Sequence, residues 1–167
     1  MKPRPTQPLR DEHRELLPHV EQLRALGDAA DEGGPDLRGL LDDAVGFLRD
    51  HLLVHAHAEE RVLYPVVAEV MGARDATATM SRDHLEVKTL VGELVALQQA
   101  LAQRGPSSAE FLSLRCLAYG LYTLVKVHFA KEEEIYLPLL DSHLSPERAN
   151  VMFAAMEQAA AEVRATG

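Results

Sequence analysis

Cysteine occurs once in this 167-residue sequence, at Cys116, which excludes an internal disulfide framework and fits a reducing cytoplasm. Basic residues are outnumbered, 17 Lys and Arg against 26 Asp and Glu, for a net charge of −9. That deficit argues against a nucleic acid or an anionic membrane as partner, because both require a basic patch. No apolar run reaches the roughly 18 residues that a membrane span needs. The opening stretch, Met1 to Pro8, carries no apolar segment of the secretory kind, so a cytoplasmic location is expected. Strand-like alternation is nearly absent, and glycine and proline gather at a few places with long stretches between them. Apolar residues still make up 47%, enough for one domain with a real core.

What is present is helical periodicity. A first helix is expected over about Pro8 to Gly27, with Leu9, Leu16, Val20 and Leu23 on one face, followed by a turn from Gly27 to Pro35. A second helix carries Leu41, Val45, Leu48, Leu52, Val62, Leu63 and Val66; Pro65 should kink or end it and Met71-Gly72 close it. A third spans roughly Asp75 to Gln103, with Met80, Val87, Val91 and Leu94 inward, and Gly105-Pro106 breaks it. Ser107 to Glu110 has the capping-box form and should start a fourth helix carrying Leu114, Leu117, Leu121, Leu124, Ile135 and Leu139. Ser145-Pro146 opens a short, alanine-rich fifth. The fold class is therefore all-α, an up-down-up-down antiparallel four-helix bundle with a short additional C-terminal helix. Residues 1–8 form a Pro-rich arm, 9–143 the bundle, and 144–167 the C-terminal helix packing on it.

The sequence repeats itself. Asp11-Glu12-His13 precedes His55-Ala56-His57-Ala58-Glu59-Glu60, which runs on to Tyr64-Pro65; Arg82-Asp83-His84 precedes His128-Phe129-Ala130-Lys131-Glu132-Glu133, which runs on to Tyr136-Leu137-Pro138. Each half supplies a lone His and a His-x-x-x-Glu. In an antiparallel hairpin, residues equidistant from the turn share a level. The midpoint of His13 and His55 is Gly34, that of His84 and His128 is Pro106, and that of His57 and His84 falls beside Met71-Gly72. All three are turns marked independently by glycine and proline. His13, His55, Glu59, His84, His128 and Glu132 thus sit at one height, and each interrupts or continues an apolar stripe. Two unpartnered carboxylates in a bundle core would cost several kcal/mol each, on the order of the penalty for any buried unpaired charge. A metal removes that cost.

Six side chains are many for one reactive metal and suit two. With no cysteine among them, a structural zinc site is disfavoured, and imidazole with carboxylate suits iron or manganese. Two bridging carboxylates, four imidazoles and one bridging oxo or hydroxo group give about ten of the roughly twelve bonds that two six-coordinate ions need. About one position per metal stays open for a small ligand.

These motifs, across about residues 9–140, resemble the hemerythrin family, in particular its HHE cation-binding branch. The resemblance implies a non-haem di-iron centre, oxo- or hydroxo- and carboxylate-bridged, with His13, His55, Glu59, His84, His128 and Glu132 as ligands and Glu59 and Glu132 bridging. Oxygen-carrying hemerythrins have a fifth histidine one turn from the lone His of helix three; here Met80 and Lys88 flank His84. They also carry His-x-x-x-x-Asp on helix four, where this chain has His-x-x-x-Glu. Both differences point away from reversible oxygen carriage. The four-His, two-Glu set resembles bacterial di-iron proteins linked to oxidative or nitrosative stress. It implies binding of, and reaction with, O2, peroxide or NO, as a peroxide- or NO-consuming oxidoreductase if there is turnover. The alternative is an iron or oxygen sensor, or an iron store, without turnover.

Three more residues stand near this set. His51, one turn before His55, is a core histidine, a seventh ligand or a hydrogen-bonding neighbour of the ligands; Tyr64 is redox-active, a proton donor or amphipathic packing; Lys88 snorkels or steers an anion. Glu60, Glu133, Glu134 and Lys131 read as a solvated face, Cys116 as buried, and His19, His57 and His143 as outward. Val151, Met152, Phe153 and Met156 give the fifth helix an apolar face, which either caps the bundle or forms a homodimer interface.

Overall fold

The computed structural model describes residues 4–32, 36–103 and 107–166. Among them there are five helices and no strand. α1 is Gln7–Glu32; α2 covers 37–71; α3 is Ala78–Gln103; α4 covers 108–143; α5 is Pro146–Thr166. α1 lies along α4, α4 also packs on α3, and α2 packs on α1, so a helical bundle encloses the core. No described helix is long and apolar enough to cross a membrane.

α1 continues past Gly27, which the sequence had marked as a turn. The glycine serves helix packing instead. A Cβ at residue 27 would stand 3.0 Å from the Tyr119 ring of α4, and the Tyr119 hydroxyl donates to Asp28 Oδ1 beside it. The expected turn residues Gly33, Gly34 and Pro35 and the breaker at Gly105-Pro106 lie outside the described residues. At the start of α4 the capping box forms in full: Ser107 Oγ accepts from the Glu110 backbone and Glu110 reaches back to the Ser107 nitrogen at 2.9 Å.

α2 and α4 are not regular throughout. α2 contains π turns at Leu48–Leu52 and Glu59–Leu63, and α4 contains one at Glu132–Tyr136. Each is closed by a bond spanning one extra residue: Leu53 N–H to Leu48 O, Tyr64 N–H to Glu59 O, and Leu137 N–H to Glu132 O. The latter two precede Pro65 and Pro138, and neither proline ends its helix. Opening the turn shifts the backbone carbonyl that a proline ring would otherwise strike. The inserted residue also rotates the helix beyond it. Ile135, expected inward, is 58% exposed, and Leu137 and Leu140 are buried in its place. On α2, Leu63, Tyr64 and Val67 are buried while Val62 and Val66 are half-buried.

The core falls into two apolar clusters. One gathers Leu16, Val20, Leu23, Leu48, Leu52, Val87, Val91, Leu121 and Val125. The other gathers Leu9, Leu63, Met80, Leu137 and Leu140 with Met152 and Met156 of α5. On every helix of the bundle the six singled-out His and Glu residues fall between the two. α5 spends most of its apolar face on this second cluster: Ala149, Met152, Met156 and Ala159 are buried and Phe153 is half-buried, leaving Val151 71% exposed.

α2 ends at Gly72, whose φ of 64° and ψ of 24° place it in the left-handed region. A Cβ there meets nothing within 4 Å, so only the backbone resists a side chain. Gly72→Ala should therefore cost about 1–2 kcal/mol, the usual penalty for an L-residue in this conformation, and lower Tm by about 2–8 °C. Gly72→Asn should lose less. Thermal unfolding of the two variants checks both values.

Candidate metal centre

Helical spacing stacks His55 over Glu59 on α2 and His128 over Glu132 on α4, while α1 and α3 contribute His13 and His84. Five of the six are buried; the side chain of His84 is 11% exposed. The structure brings all six together. Glu59 Oε1 lies 3.0 Å from His55 Nε2 and 3.8 Å from His13 Nε2, while Glu59 Oε2 lies 3.3 Å from His84 Nε2. Glu132 repeats the arrangement, with Oε2 3.4 Å from His13 Nε2 and Oε1 3.6 Å from His128 Nε2. His84 Nε2 and His128 Nε2 are 3.0 Å apart. Two donor groups result: His13, His55, Glu59 and Glu132 in one, Glu59, His84 and His128 in the other.

This set fits metal ions on two grounds. His13 Nε2, His55 Nε2, both Glu59 oxygens and Glu132 Oε2 are buried without a hydrogen-bond partner, and they converge. Buried polar atoms are rarely left so, and a shared cation satisfies them together. The spacing also agrees: two ligands at right angles, each about 2.1 Å from one ion, lie about 3.0 Å apart.

Electrostatics without a metal follow the same geometry. Burial lowers the His13 pKa, but the nearby carboxylates of Glu132 and Glu59 outweigh it and raise the group to about 9. Burial likewise works against His55 and His84, and the carboxylates of Glu59 and their outer partners raise both. For Glu59, burial favours the neutral acid, but His55, His13 and His84 hold it well below the ordinary carboxylate value.

Sequence reasoning missed what lies behind the imidazoles. Glu133 Oε1 is 3.0 Å from His13 Nδ1, Glu60 Oε1 is 2.8 Å from His84 Nδ1, and Asp83 Oδ2 is 3.1 Å from His128 Nδ1. Glu12 Oε1 stands 3.1 Å from His55 Nδ1, an electrostatic contact without hydrogen-bond alignment. Lys131 donates to Asp83, and Arg10 to Glu133. Glu60, Glu133 and Lys131 are therefore not a solvated face; each partners a group on another helix. The doubled pattern was the available signal, since an acid precedes each lone His and a second Glu follows each motif Glu.

Tyr64 reaches the centre. Its hydroxyl donates to Glu132 Oε1 at 3.0 Å and lies 3.2 Å from His128 Nε2, and its ring stacks on His84 with centroids 5.4 Å apart. Burial, then the charges of Glu59 and Glu132, push its pKa far above the ordinary tyrosine value. His51 does not join: it is exposed and stacks on Phe47, because it falls in the Leu48–Leu52 π turn. Lys88 is exposed at a cleft of about 440 Å³ that His84, Glu60, His57 and Val163 also line. A second cleft, about 490 Å³, reaches His13 past Arg4, Arg10, Arg14 and Lys126. Cys116 is exposed, not buried. His19 and His143 are exposed as expected, and His57 is half-buried.

Residues 4–140 match the family model of the hemerythrin HHE cation-binding domain. No curated protein and no solved structure matches the chain.

Proposed function

We propose, because this chain belongs to the hemerythrin HHE cation-binding family, that it is a non-haem di-iron protein. In this reading it binds and reacts with a small oxidant, O2, peroxide or NO, in cytoplasmic defence against oxidative or nitrosative stress. The observation that carries the reading is the set of buried, unpartnered donor atoms of His13, His55, Glu59 and Glu132, which converge from three helices, with His84 and His128 completing the layer. His13 and His55 would hold one iron and His84 and His128 the other. Glu59 and Glu132 would each give one oxygen to each iron, as their split distances allow. The matching heights of the four imidazoles support four helices running up-down-up-down.

Bound iron would supply Lewis acidity and a redox couple toward the small ligand. The remaining work falls to the chain. The apolar clusters on either side keep bulk water from the polar layer. Phe129 stacks on the His13 ring, with centroids 4.3 Å apart, and fixes its plane. Tyr64 keeps its proton and donates it in a hydrogen bond to Glu132 Oε1, so a fixed hydrogen-bond donor stands at the edge of the centre.

Metal analysis of protein purified without chelators, with its visible spectrum, tests this. About two irons per chain are expected, with ferric charge-transfer bands that disappear in His55→Ala and Glu132→Ala. Steady consumption of peroxide or NO then marks an oxidoreductase, and binding without consumption marks a sensor or store. No iron as purified, and no uptake of ferrous iron under anaerobic conditions, overturns the reading.

A further inference from the structure

We propose that Glu60 and Glu133 are positioning residues that orient the histidines of the opposite half of the repeat. The inference rests on the di-iron reading. Each is the second carboxylate of a Glu-Glu pair that opens a π turn, Glu59-Glu60 on α2 and Glu132-Glu133 on α4. In each pair the carbonyl of the first Glu accepts the bond that closes the turn, from Tyr64 or Leu137. The first side chain points into the polar layer. The second reaches the Nδ1 of a histidine on a neighbouring helix, His84 from Glu60 at 2.8 Å and His13 from Glu133 at 3.0 Å.

The crossing is reciprocal. Glu12 and Asp83 face histidines of their own half, His55 and His128. Glu60, from the first half, holds His84 of the second; Glu133, from the second, holds His13 of the first. Neither half alone presents a full set of oriented imidazoles.

Both carboxylates are anchored from behind. Glu60 Oε2 accepts from the Ser81 hydroxyl at 2.9 Å. Glu133 Oε2 accepts from Arg10, whose other arm lies 3.2 Å from Asp141 Oδ2, and the Thr6 backbone and hydroxyl hold Asp141 Oδ1 at 2.9 and 2.8 Å. The π register would hand the Glu133 carbonyl to the nitrogen of Pro138, which carries no hydrogen. Arg10 Nη1 approaches that carbonyl at 3.4 Å instead.

The chemistry of a ligating imidazole gives these contacts their purpose. A carboxylate accepting from Nδ1–H fixes the tautomer, turns the Nε2 lone pair inward, fixes the ring plane and raises the basicity of the nitrogen that binds.

Glu60→Gln and Glu133→Gln test the proposal, with Glu134→Gln on the exposed neighbour as control. Ferrous iron alone, titrated anaerobically, should bind each of the first two variants about 10–100-fold more weakly than the unsubstituted chain, with helicity unchanged. In protein loaded with diamagnetic Zn(II), Glu133→Gln should shift or broaden the His13 Nδ1–H resonance alone, and Glu60→Gln that of His84 alone. A merely structural role would leave this one-to-one pattern absent. Uptake and resonances unchanged in both variants overturn this assignment and leave the di-iron reading standing. No uptake by the unsubstituted chain overturns both.

Discussion

Stripped of metal, the protein should lose about 3 kcal/mol of stability as pH rises from 6.5 to 9, while its affinity for iron rises over the same range. The first half follows from linkage. Without metal, His13 titrates at about 9 in the folded chain, against 6.5 when unfolded. A raised histidine pKa stabilises the fold fully below the unfolded value, and the contribution is lost as pH climbs through the folded one. His55 and His84 are raised too and act in the same direction. The shift at His13 alone corresponds to about 3 kcal/mol, or about 6–12 °C in Tm for a chain of this size. Glu59 sets the acid limit: its pKa is depressed, so its contribution is present above 4.5 and lost as pH falls below that. The metal-free protein should be most stable between these limits. Iron reverses the slope, because it must displace the Nε2 protons and competes better as they become scarce. Melting curves at pH 6.5 and 9, with chelator and with ferrous iron, give the comparison. A metal-free Tm that stays level from 6.5 to 9 would show that the carboxylates do not hold these imidazoles as protonated partners.

The helices and the convergence of His13, His55, Glu59, His84, His128 and Glu132 were legible because both rest on regular periods. Apolar steps of three and four mark the inward face, and equal distances from the turns bring side chains to one level. Legibility failed where the period itself changes. No residue type announces a π turn, so the stripes were extended straight through it, and Ile135, Val66 and His51 were placed one residue out of phase. Gly27 failed for a different reason. Glycine at a helix end and glycine under a partner helix look alike in sequence, and only the Tyr119 ring distinguishes them. Glu60 and Glu133 were misread because a run of acidic residues has no local partner; theirs are imidazoles on other helices. The duplication held that information all the same, since Glu-Glu appears at the same place in both halves.

Glu59→Gln should abolish binding at both metal positions, whereas His128→Ala should abolish it at one. Glu59 turns Oε1 toward His55 and His13 and Oε2 toward His84, so it belongs to both donor groups. A glutamine keeps the shape but replaces one oxygen with an amide NH2, which cannot ligate and aims hydrogens into one group. It also removes the negative charge that two ions would share. Affinity should fall at least about 100-fold at each position, equivalent to about 3 kcal/mol. The metal-free form should weaken as well. Glu59 is fully buried among histidines whose protonation it sustains, and removing one partner of a buried ion pair typically costs about 3–5 kcal/mol. His128 offers one nitrogen to one group, so His13, His55, Glu59 and Glu132 remain as a complete set in His128→Ala. Iron per chain should therefore run about two, one and none for the unsubstituted chain, His128→Ala and Glu59→Gln. Two irons retained in Glu59→Gln would refute the shared carboxylate, and none in His128→Ala would mean that neither position fills without the other.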